Sequence, residues 1–176
     1  MKFTSTPVHG AFIVDVEPRS DARGSFNRAY CPDEFLRAGI DFVSTQVNIA
    51  RSSHALTLRG MHFNAAPFEE AKFVRCLRGK VHDVAIDIRR DSPTYLAWFG
   101  LDLDAESMRG FFIPAGCAHG YVTYEDNCDF LYQMSRCYQP DVDLGLRWND
   151  PAFAIAWPVV PKVIHPRDAG YADFII

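Results

Sequence analysis

Apolar and polar side chains alternate along much of the chain, and the period is that of a strand. Val81-His82-Asp83-Val84-Ala85-Ile86-Asp87-Ile88 settles into a two-residue repeat. Val84, Ile86 and Ile88 fall on one face, Ala85 and Asp87 on the other. Lys72, Val74 and Cys76 share a face opposite Phe73, Arg75 and Leu77; Phe130, Tyr132 and Met134 share another. Turn signals punctuate these runs at Arg78-Gly79-Lys80, Arg90-Asp91-Ser92-Pro93, Pro114-Ala115-Gly116 and Glu125-Asp126-Asn127. The stretch from about residue 43 to 138 therefore reads as closely spaced short strands, which predicts an antiparallel sandwich or barrel. Helix is scarce. Pro32 to Gly39 has Pro near its start, acids in its first turn and Gly at its end, the pattern of a short helix. Asp104 to Met108 predicts one helical turn. The Trp- and Pro-rich tail after Asp143 predicts irregular structure with short helical turns wrapped on the barrel. No repeat or linker divides the chain, so the expectation is one domain over residues 1–176.

Composition narrows the function classes. The chain is 48% hydrophobic and 23% charged, which supports a sizeable core and excludes intrinsic disorder. Aromatic residues reach 14%, favouring pleated, half-buried surfaces. The net charge is −4 and no basic stripe is present, so nucleic acid is not the expected partner; an anionic ligand must be held by a local group of Arg and Lys. Ala152 to Val160 is too short to span a bilayer and contains Pro158, and the N-terminus lacks a signal-type apolar region, so no membrane partner is expected. The 5 cysteines (Cys31, Cys76, Cys117, Cys128, Cys137) have no Cys-x-x-Cys spacing, which predicts free thiols in a reducing cytosol and no cysteine-only zinc site.

Several residues stand out for chemistry. Arg59-Gly60-Met61-His62 sets an Arg and a His around a Gly, and an isolated Gly in a strand marks a bulge or a close backbone approach. Lys72 points with apolar neighbours, either as a snorkelling edge residue or as a desolvated functional amine; strand pattern alone favours the first. Tyr132, on an apolar face, reads by default as a core aromatic. His9, His54 and His82 read as structural or surface residues. Pro114-Ala115-Gly116-Cys117-Ala118-His119 resembles the second motif of cupin barrels, where the His often ligates a metal. The matching first-motif positions here are His62 and Asn64, a poor ligand set for zinc or iron, so the expectation is no metal.

The motifs taken in order carry a more specific resemblance. Asp21-Ala22-Arg23-Gly24-Ser25-Phe26, Gln46-Val47-Asn48, Leu58-Arg59-Gly60-Met61-His62, Lys72-Phe73-Val74-Arg75 and Asp83 to Arg89 come first. Ser92-Pro93-Thr94, Ile113-Pro114 through His119-Gly120, Tyr132, Tyr138-Gln139-Pro140, Trp148-Asn149-Asp150-Pro151, Ile155-Ala156-Trp157-Pro158 and Arg167-Asp168 follow. This series resembles the dTDP-4-dehydrorhamnose 3,5-epimerase family over nearly the whole chain. The resemblance implies an all-β, cupin-type jelly-roll barrel with a few short peripheral helices. It also implies a homodimer with exchanged N-terminal strands, no cofactor, and inversion of carbons next to the ketone of a nucleotide-diphosphate-linked 4-keto-6-deoxy sugar. By the same resemblance His62 is the base, Asp168 the carboxylate that orients it, Tyr132 the acid on the opposite face and Lys72 the cation that stabilises the enolate. His119 is a second His near the sugar. Arg23, Gln46, Asn48 and Arg59 match residues that hold the nucleotide diphosphate, and Phe26 and Tyr138 match aromatic residues around the base and sugar.

Some outer positions depart from the family pattern. Arg28 stands where Glu is usual, Asn64 and Glu70 stand where Gln is usual, and His165-Pro166-Arg167-Asp168 replaces a Ser-x-x-Asp ending. These departures bear on which nucleotide and sugar are accepted rather than on the reaction. Two other readings stand beside the epimerase: a metal-dependent cupin enzyme, on the Pro114 to His119 motif alone, and a non-catalytic sugar-nucleotide binding protein on the same barrel.

Overall fold

The alternating segments become strands in a computed structural model that describes residues 1–175. In chain order these are β1 (Lys2–Ser5), β2 (Phe12–Asp15), β3 (Arg19–Asp21), β4 (Gly24–Phe26), helix α1 (Pro32–Arg37), β5 (Gln46–Ser52), β6 (Thr57–Asn64) and β7 (Lys72–Arg78). Then come β8 (Lys80–Asp87), β9 (Trp98–Asp104), β10 (Gly110–Ile113), β11 (Cys117–Thr123), β12 (Cys128–Met134), β13 (Asp143–Gly145), β14 (Val163–Ile164) and helix α2 (Pro166–Ala169). One sheet has the order β1-β2-β10-β7-β12-β5; the facing sheet runs β13-β6-β11-β8-β9, with β14 also paired to β6. The inner strands β5-β12-β7-β10 and β6-β11-β8-β9 give the jelly-roll order expected from the cupin resemblance. Hairpin β3–β4 pairs only with itself and stands apart from both sheets.

Three apolar layers follow from the alternation. Between the sheets, Val74, Cys76, Val81, Ala85, Phe111, Tyr121 and Phe130 form the barrel core. Outside the first sheet, Phe73 and Phe112 pack under α1 with Phe35 and Phe42, their rings 5.0–5.9 Å apart. Outside the second sheet, Met61, Val84 and Ile86 are covered by Leu146 and Phe153 of the tail. Thus the apolar face of β8 points outward under the tail, while its other face carries Asp83 and Asp87 into the interior.

Helix α1 has Pro32 at its start and is stopped by Gly39 at φ +81°, close to the sequence expectation. The helical turn expected at Asp104 to Met108 does not form. Asp104 Oδ1 accepts from the Ser107 N–H at 2.7 Å and Met108 takes φ +51°, so this segment is a polar turn linking β9 to β10. In the tail, one helical turn forms as α2, but β13 and β14 are true strands on the edge of β6. Pairings this short leave no periodic trace in the sequence.

Among the described residues, no helix is long and apolar enough to cross a membrane.

Candidate active site

Strand β6 reaches the site through an irregularity. Its register with β11 pairs Arg59 with Tyr121 and His62 with His119, so two residues of β6 oppose one of β11. Residues three apart would point to opposite faces of a regular strand. The bulge turns both Arg59 and His62 inward, as the isolated Gly60 suggested. Gly60 sits at φ +137°, and a Cβ there would lie 2.4 Å from the Gly120 Cα, so only glycine permits the strands to approach this closely.

Between the open ends of the two sheets lies a cavity of about 880 Å³. It is lined by His62 and His119 from one sheet and by Lys72 and Tyr132 from the sheet facing it. Gln46, Asn48, Arg59, Asn64, Glu70, Tyr138 and Asp168 also line it. The three remaining sequence-predicted residues do not. Arg23 lies on hairpin β3–β4, paired with Asp21 and 90% exposed, Phe26 is 71% exposed, and Arg28 pairs with Glu34. The sequence could not separate them from the others, because the hairpin's distance from the cavity is a tertiary fact.

Asp168 is delivered by α2. His165 caps that helix by accepting the Arg167 N–H, and Pro166 opens it. The buried carboxylate is 2.9 Å from His62 Nε2 through Oδ1 and accepts the Gly60 N–H at 3.2 Å through Oδ2. Burial alone pushes this carboxyl up. The hydrogen bond and charge of His62, the Gly60 N–H and Arg167 outweigh it and hold the carboxyl below its ordinary range. With Nε2 committed to Asp168, Nδ1 is the ring nitrogen left to take a proton.

Lys72 is buried, so the desolvated-amine reading replaces the snorkelling one that strand pattern favoured. Its Nζ donates to the His62 carbonyl oxygen at 3.4 Å and lies 3.5 Å from Glu70 Oε1. Burial pushes the Lys72 ammonium down and the Glu70 carboxyl up; each partner's charge opposes the shift of the other.

His119 is fixed from behind by Asp83, Nε2 to Oδ1 at 2.7 Å, and its ring stacks on Phe130 at 6.4 Å between centroids. The Asp83 carboxyl is wholly buried, and that burial pushes it up against the pull of His119. The Tyr132 ring packs against His119, Phe130 and Tyr121. Burial, with Tyr121 and Asp83 nearby, pushes its phenol well above the ordinary range, so it holds its proton at neutral pH. Tyr132 is therefore a cavity residue rather than a plain core aromatic. At the outer end, Gln46 and Asn48 are hydrogen-bonded to each other at 3.1 Å, and Gln46 Oε1 accepts the Tyr138 N–H at 2.7 Å.

Three further residues belong to the site without having been singled out in the sequence: Asp83, Asp143 and Arg167. Arg167 Nη1 donates to Asp143 Oδ2 at 2.8 Å, while Nη2 lies 3.3 Å from His62 Nε2. An acid within an apolar strand was the available signal for Asp83; Arg167 lay beside Asp168. Asp143 had no signal, since β13 itself was not foreseen. Chemically, the cavity sets a carboxylate-oriented imidazole on one wall and a protonated phenol and an ammonium on the other. That arrangement suits proton removal and return on opposite sides of a carbon acid.

Comparison with known proteins agrees with this chemistry. The sequence profile of the dTDP-4-dehydrorhamnose 3,5-epimerase family matches residues 5–175. The chain is 37% identical over 158 residues to the dTDP-4-dehydrorhamnose 3,5-epimerase of Methanothermobacter thermautotrophicus, covering 90% of this chain and 84% of that protein. The structure superposes on the Bacillus anthracis dTDP-4-dehydrorhamnose 3,5-epimerase with TDP and PPi bound at a TM-score of 0.94 and 31% identity, covering 98% and 99% of the two chains. It also resembles a 3′-monoepimerase from Streptomyces bikiniensis in complex with dTDP-quinovose, at a TM-score of 0.86 and 32% identity over 94% of this chain and 84% of that one. The profile match, the relatives and the barrel place this chain in the dTDP-4-dehydrorhamnose 3,5-epimerase family of nucleotide-sugar epimerases.

Proposed function

We propose that this protein inverts C3, C5 or both in a nucleotide-diphosphate-linked 4-keto-6-deoxyhexose by proton transfer alone. His62 Nδ1 removes the proton from the carbon beside the ketone. The C–H pair becomes the enolate double bond, and the charge moves to the ketone oxygen. Asp168 stabilises the imidazolium, and Lys72, with His119 beside it, stabilises the oxyanion. The Tyr132 hydroxyl then protonates the carbon from the other side as the enolate returns to the ketone. One proton leaves and one arrives; the imidazolium and phenolate re-equilibrate with solvent. The carrying observation is that His62 and Tyr132 line one cavity from facing sheets.

Arg59, Gln46 and Asn48 hold the diphosphate end, with Tyr138 against the base or sugar, and Asn64 and Glu70 face the sugar. Arg23, Phe26 and Arg28 serve the cavity of a second copy of the chain, in a homodimer with exchanged N-terminal segments. This reading is supported by the hairpin's isolation from its own barrel and by Val47, Ile49 and Leu77, exposed on the outer face of the first sheet. The free cysteines fit a reducing cytosol.

NMR in heavy water tests the chemistry, reading deuterium uptake at C3 and C5 separately across a panel of 4-keto-sugar nucleotides. Uptake lost in His62→Ala is the expected result. Uptake undiminished in that variant would remove His62 as base, and no uptake by the folded protein with any sugar would overturn the reaction. Mixing inactive His62→Ala and Arg23→Ala proteins tests the shared site: activity reappears only if one copy's hairpin completes the other's cavity.

A further inference from the structure

Glu70 is not part of the family pattern described above, yet among the described residues its carboxylate is the one in ion-pair distance of Lys72. It lies just before β7, its side chain is 9% exposed, and its carboxylate faces the cavity 3.5 Å from the Lys72 ammonium. A buried ammonium stays protonated only where a counter-charge offsets the lost hydration. The groups around Lys72 come from several elements. Asp143 stands on β13, Asp83 on β8, Cys117 on β11 and the His62 carbonyl on β6. Asp143 is held by Arg167, and Asp83 by His119. Among the described residues Glu70 is the only carboxylate within ion-pair distance of Lys72, and Arg136 is the further cation that bears on Glu70.

We propose that Glu70 is a positioning residue: by pairing with Lys72 it keeps that buried lysine protonated and aimed into the cavity, ready for the oxyanion. The catalytic part of this rests on the enolate reading above. A neutral residue at position 70 would leave the lysine the same shape of pocket but take away the charge that keeps its proton.

Glu70→Gln isolates that charge, since the amide is nearly the same size, and Glu70→Asp is the conservative control. In the unliganded protein, the 13Cε shift of Lys72 is followed against pH. The midpoint should fall by about one unit in Glu70→Gln and stay close to wild type in Glu70→Asp. In the exchange assay, the alkaline limb of kcat/KM should move down with it. The ratio of wild type to Glu70→Gln then widens about tenfold between the low-pH plateau and pH above both midpoints. A midpoint unmoved by Glu70→Gln overturns the proposal, as does a rate lowered by one constant factor at every pH, the mark of a merely structural residue. The NMR titration needs no substrate. If wild type exchanges no keto-sugar proton, the catalytic reading fails while the hold of Glu70 on Lys72 is still decided.

Discussion

Replacing Asp168 by Asn changes one atom and should nearly silence the site, for a reason visible in its hydrogen bonds. The native carboxylate accepts from His62 Nε2 at 2.9 Å and from the Gly60 N–H at 3.2 Å, and at the longer distance of 3.5 Å from Arg167 Nε, whose half-exposed side chain can turn to water. An amide has one oxygen for the two close donors. If the oxygen faces His62, the amide NH2 points at the Gly60 N–H, and a buried donor is left orphaned at a cost of about 1–3 kcal/mol. The amide therefore flips: its oxygen takes the Gly60 N–H and its NH2 donates to Nε2. That places the imidazole proton on Nδ1, the nitrogen that the proposed base must keep bare. The variant also loses the charge-assisted bond that steadies the imidazolium, about 1.5–3 kcal/mol. Together these raise the barrier by about 2.5–6 kcal/mol, a fall of roughly 10²–10⁴ in kcat/KM. Deuterium uptake at C3 and C5 measures the loss, and a thermal melt should show the protein still folded. Uptake within about threefold of wild type would refute both the tautomer argument and the assignment of Nδ1 as the base.

Tyr132→Phe removes the proposed opposite-face acid but leaves the proposed base, so uptake at the abstracted carbon should persist while inversion falls about 100-fold or more; inversion at wild-type rate would dismiss Tyr132. Gly60→Ala sets a Cβ 2.4 Å from the Gly120 Cα at φ +137°, which should cost about 2–4 kcal/mol and lower Tm by roughly 5–10 °C. An unchanged melting curve would show that the strands can part freely. Asp87 is buried, and although burial opposes its charge, hydrogen bonds from Arg89, Ser92 and Thr94 hold its carboxyl far below the ordinary range. Its contribution is therefore full above about pH 4 and lost as the pH falls further. Asp87→Asn should cost about 3 kcal/mol at neutral pH in urea unfolding, with the gap closing in acid; an equal gap at both pH values would argue against a charged Asp87.

Much of the barrel was legible because a strand's alternation is local. The faces of β7, β8 and β12, the turns between them and the extent of α1 follow from neighbouring residues, and the order of motifs was enough to expect a jelly roll and to single out His62, Lys72, Tyr132 and Asp168. What the alternation could not say is which face looks inward. On β8 the apolar face of Val84 and Ile86 is turned out under the tail, and Asp83 is carried inside to hold His119. Nor could it say that the bulge at Gly60 turns Arg59 and His62 to the same side, that Lys72 is buried against Glu70, or that Arg167 and Asp143 close around the imidazole. The hairpin bearing Arg23 and Phe26, placed by resemblance with the rest of the site, stands away from its own cavity. The sequence by itself determined the longer strands and the chemical inventory, since period and side-chain type are properties of a residue and its neighbours. The tertiary structure alone decided burial, partner and facing direction, because these depend on which distant segment lies across the gap.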